Sequence, residues 1–259
     1  MLEINQLTKH FSQGWLRKTT TYAVQDVSFT IPAGKTFGLM GTSGSGKSTV
    51  AKLITGLLRP TAGEIRYQGS KLTGLSRSGW QPFRRKIQLI FQQPTLSLDP
   101  RQTMLDAMLE PLLAHKLISS RRQGLDKIEQ LLTLTQLSAE ILPKYSWQIS
   151  GGQAQRIAIA RVLGLEPEVI IADEPTAMLD LSVQAQILTL LKDIQQQVSL
   201  SLLLISHDPD VVKACADQAA FMISGKIAAA GHPADILPQS GSLLALRRSI
   251  LPQCKGGLP

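Results

Sequence analysis

The sequence predicts an α/β fold: a mostly parallel sheet flanked by helices and interrupted by a helical subdomain. Three observations lead there. Strand-length apolar runs alternate with helical patterns along most of the 259 residues. One such run passes through a glycine-rich loop directly into an apolar helix. Residues 94–150 break the alternation, with Leu-rich stretches such as 125–134 and no convincing strand.

The loop is Gly41-Thr42-Ser43-Gly44-Ser45-Gly46-Lys47-Ser48-Thr49, a match to G-x-x-x-x-G-K-[ST]. Its glycines let consecutive backbone N–H groups turn inward around phosphates. Lys47 is placed to reach the outer phosphates, and Ser48 to offer a hydroxyl to Mg²⁺. Residues 35–40 read as the buried strand before the loop, and residues 49–58 as the helix after it, its positive end facing the anion. A second apolar run, Val169-Ile170-Ile171-Ala172-Asp173-Glu174, ends in two acids, as a central parallel strand does when it delivers carboxylates at its C-terminal end. Asp173 is then a Mg²⁺ ligand through water, and Glu174 the group that orients and deprotonates the attacking water. About a hundred residues beyond the first loop, Ile149-Ser150-Gly151-Gly152-Gln153 is another phosphate-binding device. One nucleotide needs one cradle, so the second suggests a half-site for another molecule's nucleotide.

With these residues in view, residues 2–235 resemble the ATP-binding subunit of an ABC transporter, with a tail at 236–259. The resemblance implies a P-loop NTPase core with an N-terminal antiparallel β portion, ATP and Mg²⁺ as cofactors, and ATP hydrolysis coupled to transport. Ser150, Gly151, Gly152 and Gln153 match the family signature, with Ile149 for the usual Leu. Gln92, after Ile87-Gln88-Leu89-Ile90-Phe91, resembles the glutamine that contacts Mg²⁺ or the water. His207, after Leu202-Leu203-Leu204-Ile205-Ser206, resembles the histidine that bonds the γ-phosphate. Asp180 resembles the D-loop aspartate that crosses the dimer interface, although Ala177 and Met178 replace the commoner Ser-Ala. Phe11 falls where the family stacks adenine. Residues 12–21 look inserted before Tyr22, so Tyr22 or Trp15 are alternatives.

The resemblance also implies partners: a second ATP-binding subunit, identical or paralogous, two integral membrane permease subunits, and an extracytoplasmic solute-binding protein. Gln92-Gln93-Pro94-Thr95-Leu96-Ser97-Leu98-Asp99-Pro100-Arg101 and Leu181-Ser182-Val183-Gln184-Ala185-Gln186-Ile187-Leu188 are similar to the peptide/nickel branch of importers, with Asp99 where Asn is usual. Chain length favours nickel or a metal-chelate complex over an oligopeptide or dipeptide. The groove around Gln92 is expected to receive a coupling helix of the permease.

Composition sets bounds on this reading. No run of eighteen apolar residues and no charged-then-apolar leader occurs, which predicts a chain that neither spans a membrane nor leaves the cytoplasm; the resemblance then implies a peripheral subunit held by the permeases on the cytoplasmic face of the inner or plasma membrane. A net charge of +8 arises from scattered cations, clustered only at Arg84-Arg85-Lys86, Arg121-Arg122 and Arg247-Arg248. No aromatics interleave with them, so the charge reads as a solvated face beside a membrane rather than a nucleic-acid surface. Cys215 reads as a buried small hydrophobe, Cys254 as part of a Pro/Gly-rich tail, and their spacing holds no metal motif. His10, His115 and His232 share no ligand spacing. Two rival readings are a soluble ABC ATPase acting on DNA or ribosomes, which lacks here its second cassette or coiled-coil insertion, and a P-loop kinase, which has no use for the signature.

Overall fold

The computed structural model of the chain describes residues 1–13 and 19–237, so Trp15, Cys254 and the tail beyond residue 237 lie outside the described residues. The chain forms two compact units, Met1–Gly74 with Leu204–Pro259, and Leu75–Leu203.

The first unit opens with β1 (Leu2–Gln13) and β2 (Thr19–Ile31), antiparallel partners in the order β2-β1-β4-β5 with β4 (Ala62–Tyr67) and β5 (Ser70–Lys71). The register sets Ile4 opposite Phe29 on one side and Ile65 on the other, and Leu2, Ile4, Leu7, Ile31 and Ile65 are buried. Alternation along a strand places every second residue in the core, which is why Glu3 and Asn5 face outward or sideways. At the described ends of the segment expected as an insertion, the two strands remain paired: Ser12 with Thr20 and Gln13 with Thr19. Thr20 and Thr21 are exposed, and β-branched residues suit a strand whose polarity hides it from a search for apolar alternation.

A second layer of this unit starts at β3 (Thr36–Gly41), buried along its whole length and followed by the glycine-rich loop and α1 (Lys47–Ile54). The helix begins two residues before the expected start and stops four short of the expected end, because Gly56 adopts φ 71 and turns the chain away. Late in the chain, α7 (Pro209–Cys215), β9 (Gln218–Ile223), β10 (Lys226–Gly231) and α8 (Pro233–Ile236) complete the unit. Strand β9 runs parallel to β3, with Leu39 beside Ala220, and antiparallel to β10. Met40, Val212, Ala219, Phe221 and Leu237 form one of its cores. Cys215 is half-buried at the end of α7, more open than its sequence context suggested, since the last turn of a short helix only grazes the core.

The second unit holds α2 (Gln81–Arg84), β6 (Ile87–Ile90), α3 (Met104–Ala114), α4 (Arg121–Leu134), α5 (Gly151–Leu163), β7 (Val169–Asp173) and α6 (Leu181–Val198). Strands β6 and β7 are parallel, Leu89 beside Ile171. Between them the described elements are helical, with 3-10 turns at Pro94–Ser97, Ala139–Ile141 and Ser146–Gln148 and one isolated bridge, Thr103 to Tyr145. Thr103 and Ser120 cap α3 and α4 by accepting from Asp106 and Gln123 backbone N–H groups. The division between the units falls inside β8 (Ser201–Ser206), whose six residues are all buried.

Candidate functional site

In the first unit, the glycine-rich loop is shaped by its own backbone and by two neighbours. The Ser45 N–H donates to the Thr42 carbonyl at 3.1 Å, and the Gly225 N–H, in the β9–β10 turn, donates to the Ser45 carbonyl at 3.0 Å. Gly46 sits at φ 103, and a Cβ there would drive into the Ala23 carbonyl of β2, so only glycine closes the loop. Lys47, buried, donates from Nζ to the Gly41 and Thr42 carbonyls at 2.8 and 3.0 Å, arching over the loop. Ser43, Gly44 and Ser48 are exposed along the same turn, with Thr42 and Thr49 half-buried.

Helix α1 has no side chain capping its N-terminus and no acid in its first turn. Its leading N–H groups and the positive end of its dipole are therefore directed at whatever lies in the loop. The Ser45 hydroxyl is buried with no hydrogen-bond partner among the described residues. These features fit a polyanion such as the phosphates of ATP. The oxygen donors assigned to Mg²⁺, Ser48, Gln92 and Asp173, are of the hard type this ion selects.

His207 follows β8 and is exposed. Its backbone is set by the next residue, since the Asp208 N–H donates to the Ser206 hydroxyl at 3.0 Å while Asp208 caps α7.

In the second unit, Asp173 is buried at the end of β7, and Glu174 leaves the strand at φ 47. This left-handed backbone at a bulky residue is uncommon and costs on the order of 1 kcal/mol. It aims the Glu174 side chain away from the strand line, where the Gln92 amide donates to its carboxylate at 3.1 Å. The structure thus joins the expected catalytic acid to the expected glutamine, which are 82 residues apart in the chain.

The signature begins α5. Ser150 accepts from the Gln153 N–H at 3.2 Å, and the Gln153 side chain accepts from the Ser150 N–H at 3.0 Å, a reciprocal capping box. Gly152 has no room for a Cβ, which would lie 2.6 Å from a Val183 methyl of α6. Asp180 caps that same helix by accepting from the Val183 N–H at 3.0 Å. Signature and D-loop are therefore locked together through Val183. This local role of Asp180 was legible in Asp-Leu-Ser-Val, an N-cap pattern ahead of an apolar helix.

The adenine candidates separate. Phe11 and Tyr22 are both exposed, but Tyr22 pairs across the hairpin with His10, its ring 5.5 Å from the imidazole, whereas Phe11 pairs with Thr21 and lies under Lys9 Nζ at 5.2 Å. Adjacent residues of a strand point to opposite faces, so Phe11 and Tyr22 cannot stack on one base together.

A groove of about 370 Å³ lies within the second unit, lined by Gln88, Phe91, Ser97, Pro111 and Arg161 among others. Arg161, which sequence reasoning passed over, donates to the Ser97 carbonyl at 2.5 Å and to Glu110 at 3.2 Å from a largely buried position. Burial pushes its guanidinium below the ordinary arginine range, with Glu110 opposing. An arginine inside a helix carries no visible mark of burial, and only the packing reveals it. Phe91, the last residue of the apolar run before Gln92, is 45% exposed at this groove. Asp99 is held at a pKa of about 2, first by side-chain bonds from Arg101 and then by the Arg101 N–H. The pair accounts for an acid where the branch usually has Asn.

The family described as ABC transporter matches residues 24–177. A putative oligopeptide transport ATP-binding protein of Bacillus subtilis, YkfD, is 44% identical over 87% of this chain and 68% of its own length. The di/tripeptide transport ATP-binding protein DppF of Pseudomonas aeruginosa is 39% identical over 97% of this chain and 80% of its own. Among solved structures, the dimeric ATP-binding cassette MJ0796 bound to ADP and Pi superposes with a TM-score of 0.81 at 29% identity, covering 90% of this chain and 99% of that one. These names favour the peptide alternative over the nickel or metal-chelate reading. The chain belongs to the ABC transporter family, as an ATP-binding subunit of the peptide/nickel importer branch whose ATP hydrolysis is coupled to transport.

Proposed function

We propose that this subunit drives import of oligopeptides or dipeptides, working as one of two ATP-binding subunits beneath two integral membrane permeases fed by an extracytoplasmic binding protein. The peptide-transport names of its relatives support this choice of solute. Nickel or a metal-chelate complex becomes the minor reading. No helix among the described residues is long and apolar enough to cross a membrane, so the permeases would supply the pathway and hold the subunit at the cytoplasmic face. The groove beside Phe91 and Arg161 would receive a short coupling helix of the permease. No direct nucleic-acid contact is assigned.

The observation that carries the mechanism is the pairing of an open helix end at Gly46 with a capped, outward-facing one at Ser150. Thr42, Ser43, Gly44, Ser45, Gly46, Lys47, Ser48 and Thr49 would hold the triphosphate, with Phe11 against adenine. A Ser150 hydroxyl of the second subunit would grip the γ-phosphate from the far side: it accepts from Gln153, and its own proton remains to be donated. Closure follows because one charge is shared by two faces, and hydrolysis removes that shared attraction. Glu174 would take the proton of the attacking water, Gln92 would position Glu174, and His207 would bond the γ-phosphate. Ser48, Gln92 and Asp173 would hold Mg²⁺, which neutralises charge gathering on the phosphate oxygens.

The deciding experiment is ATPase activity in vesicles reconstituted with the permeases. Stimulation by a peptide-loaded binding protein and not by a nickel- or metal-chelate-loaded one is expected; the reverse order would restore the minor reading.

A further inference from the structure

The second unit contains a cleft of about 390 Å³ lined by Gln81, Pro82, Arg85, Lys86, Ala114, His115 and Lys116. It is formed where α2 and α3 end: Arg85 follows the last residue of α2, and His115 and Lys116 follow that of α3. Three full positive charges converge there. Lys86 is paired with Glu168 at 2.8 Å. Glu166 lies close enough to feel Arg85, yet its carboxylate is bonded to Lys127 at 2.5 Å. Neither Arg85 nor Lys116 has an ion-pair partner among the described residues.

A cation after a helix is ordinarily explained by the negative end of the dipole, about half a charge for α3. That half charge and Glu168 together leave the cleft with an excess of more than one positive charge. Lys116 moreover holds φ 55, where glycine or asparagine closes helices with less strain, so a long cation is kept at a position that disfavours it. The Arg84-Arg85-Lys86 cluster has no part in the nucleotide chemistry described above.

We propose that this cleft binds a phosphate-bearing anionic headgroup of the membrane lipid. Gln81 and the Arg85 guanidinium supply directed donors, with Arg suited to bidentate contact with phosphate oxygens, and Lys116 supplies a flexible point charge. The cleft, at about 390 Å³, is large enough for one headgroup. A lipid is favoured over a soluble anion because a transport subunit works beside a bilayer whose inner face is anionic. The proposal needs only that membrane location and does not depend on the solute.

The test is flotation of the full 259-residue chain with vesicles of phosphatidylcholine alone or with phosphatidylglycerol added. Binding to the anionic vesicles should exceed binding to neutral ones. Arg85→Ala with Lys116→Ala should weaken it on the order of 25-fold, about fivefold per cation. Arg59→Ala with Arg122→Ala removes the same charge elsewhere and should change it far less. ATP hydrolysis and melting temperature should be equal in both pairs, which separates this outcome from failure of the nucleotide site. Equal losses in the two pairs would reduce the effect to net charge and overturn the proposal. So would displacement of the anionic vesicles by millimolar inorganic phosphate at constant ionic strength, which would identify a free-phosphate site instead.

Discussion

Helices α1 and α5 both start at a motif proposed to bind phosphate, yet they satisfy their first N–H groups in opposite ways. The α1 end has Gly46 at its cap, in a left-handed conformation, with no side chain to offer, so its donors are left for a ligand. The α5 end is complete without one, because Ser150 and Gln153 cap each other. The first suits the proposed role of a nucleotide site within a single molecule. The second is a preformed surface with a spare hydroxyl proton, which suits its proposed role of touching a phosphate held by the second subunit. The glycines differ in the same way: Gly46 is required by backbone pressed against backbone, Gly152 by a Val183 methyl.

The largest effect expected from breaking this arrangement separates holding from cleaving. Glu174→Gln should lower kcat about 10²- to 10⁴-fold while both helix ends still grip, so ATP affinity and ATP-dependent pairing persist. Single-turnover hydrolysis near the wild-type rate would remove Glu174 from its role. Next, Lys47→Ala should weaken ATP binding about 10- to 150-fold, the value of a hydrogen bond to a charged group, and a fluorescent-nucleotide titration reads it directly. Unchanged affinity would mean that the α1 end is not the primary site.

Ser150 sharpens the contrast further. Ser150→Ala loses both the cap and the proposed phosphate contact, whereas Ser150→Gly keeps most of the capping propensity. In a Glu174→Gln background, both should lose ATP-driven dimers by sedimentation. Only Ser150→Ala should lower the melting temperature, by about 2 to 4 °C, the shift for roughly 1 kcal/mol in a domain of this size. Dimers retained in Ser150→Gly would leave capping as the residue's whole function.

The smallest effect lies in the loop after Gln92. The folded-state pKa of Asp99 is depressed from 3.8 to about 2, so its favourable pairing with Arg101 is complete above the ordinary carboxylate range and is lost as pH falls through about 2. Arg101→Gln should raise the Asp99 titration, followed by NMR, toward the ordinary carboxylate value without fully reaching it, because the backbone N–H of residue 101 still donates to the carboxylate. ATP binding at α1 should not change, since this loop is remote in role from the glycine cradle.

The strands of the α/β core were legible because burial on both faces demands continuous apolar runs: 169–173 and 201–206 stand in the chain as they stand in the fold. The glycine loop was legible for a related reason, as its backbone geometry excludes other residues. The strand pairing at 12–13 and 19–21 was not, because exposed strand ends need no apolar alternation. Helix α1 was misplaced at both ends, since helix limits depend on caps and on a local φ that composition does not specify.

By itself the sequence determined which chemical groups this protein has and which backbone conformations they permit, because glycines at forced turns and apolar runs obey local sterics and solvation. The tertiary structure alone decided which of those groups meet. Gln92 reaches Glu174 across 82 residues, Val183 ties the signature to the D-loop, and Arg161 is buried beside Ser97 and Glu110. Contacts of that kind depend on where separate elements stop and how their side chains fill the space between them, which no local pattern along the chain records.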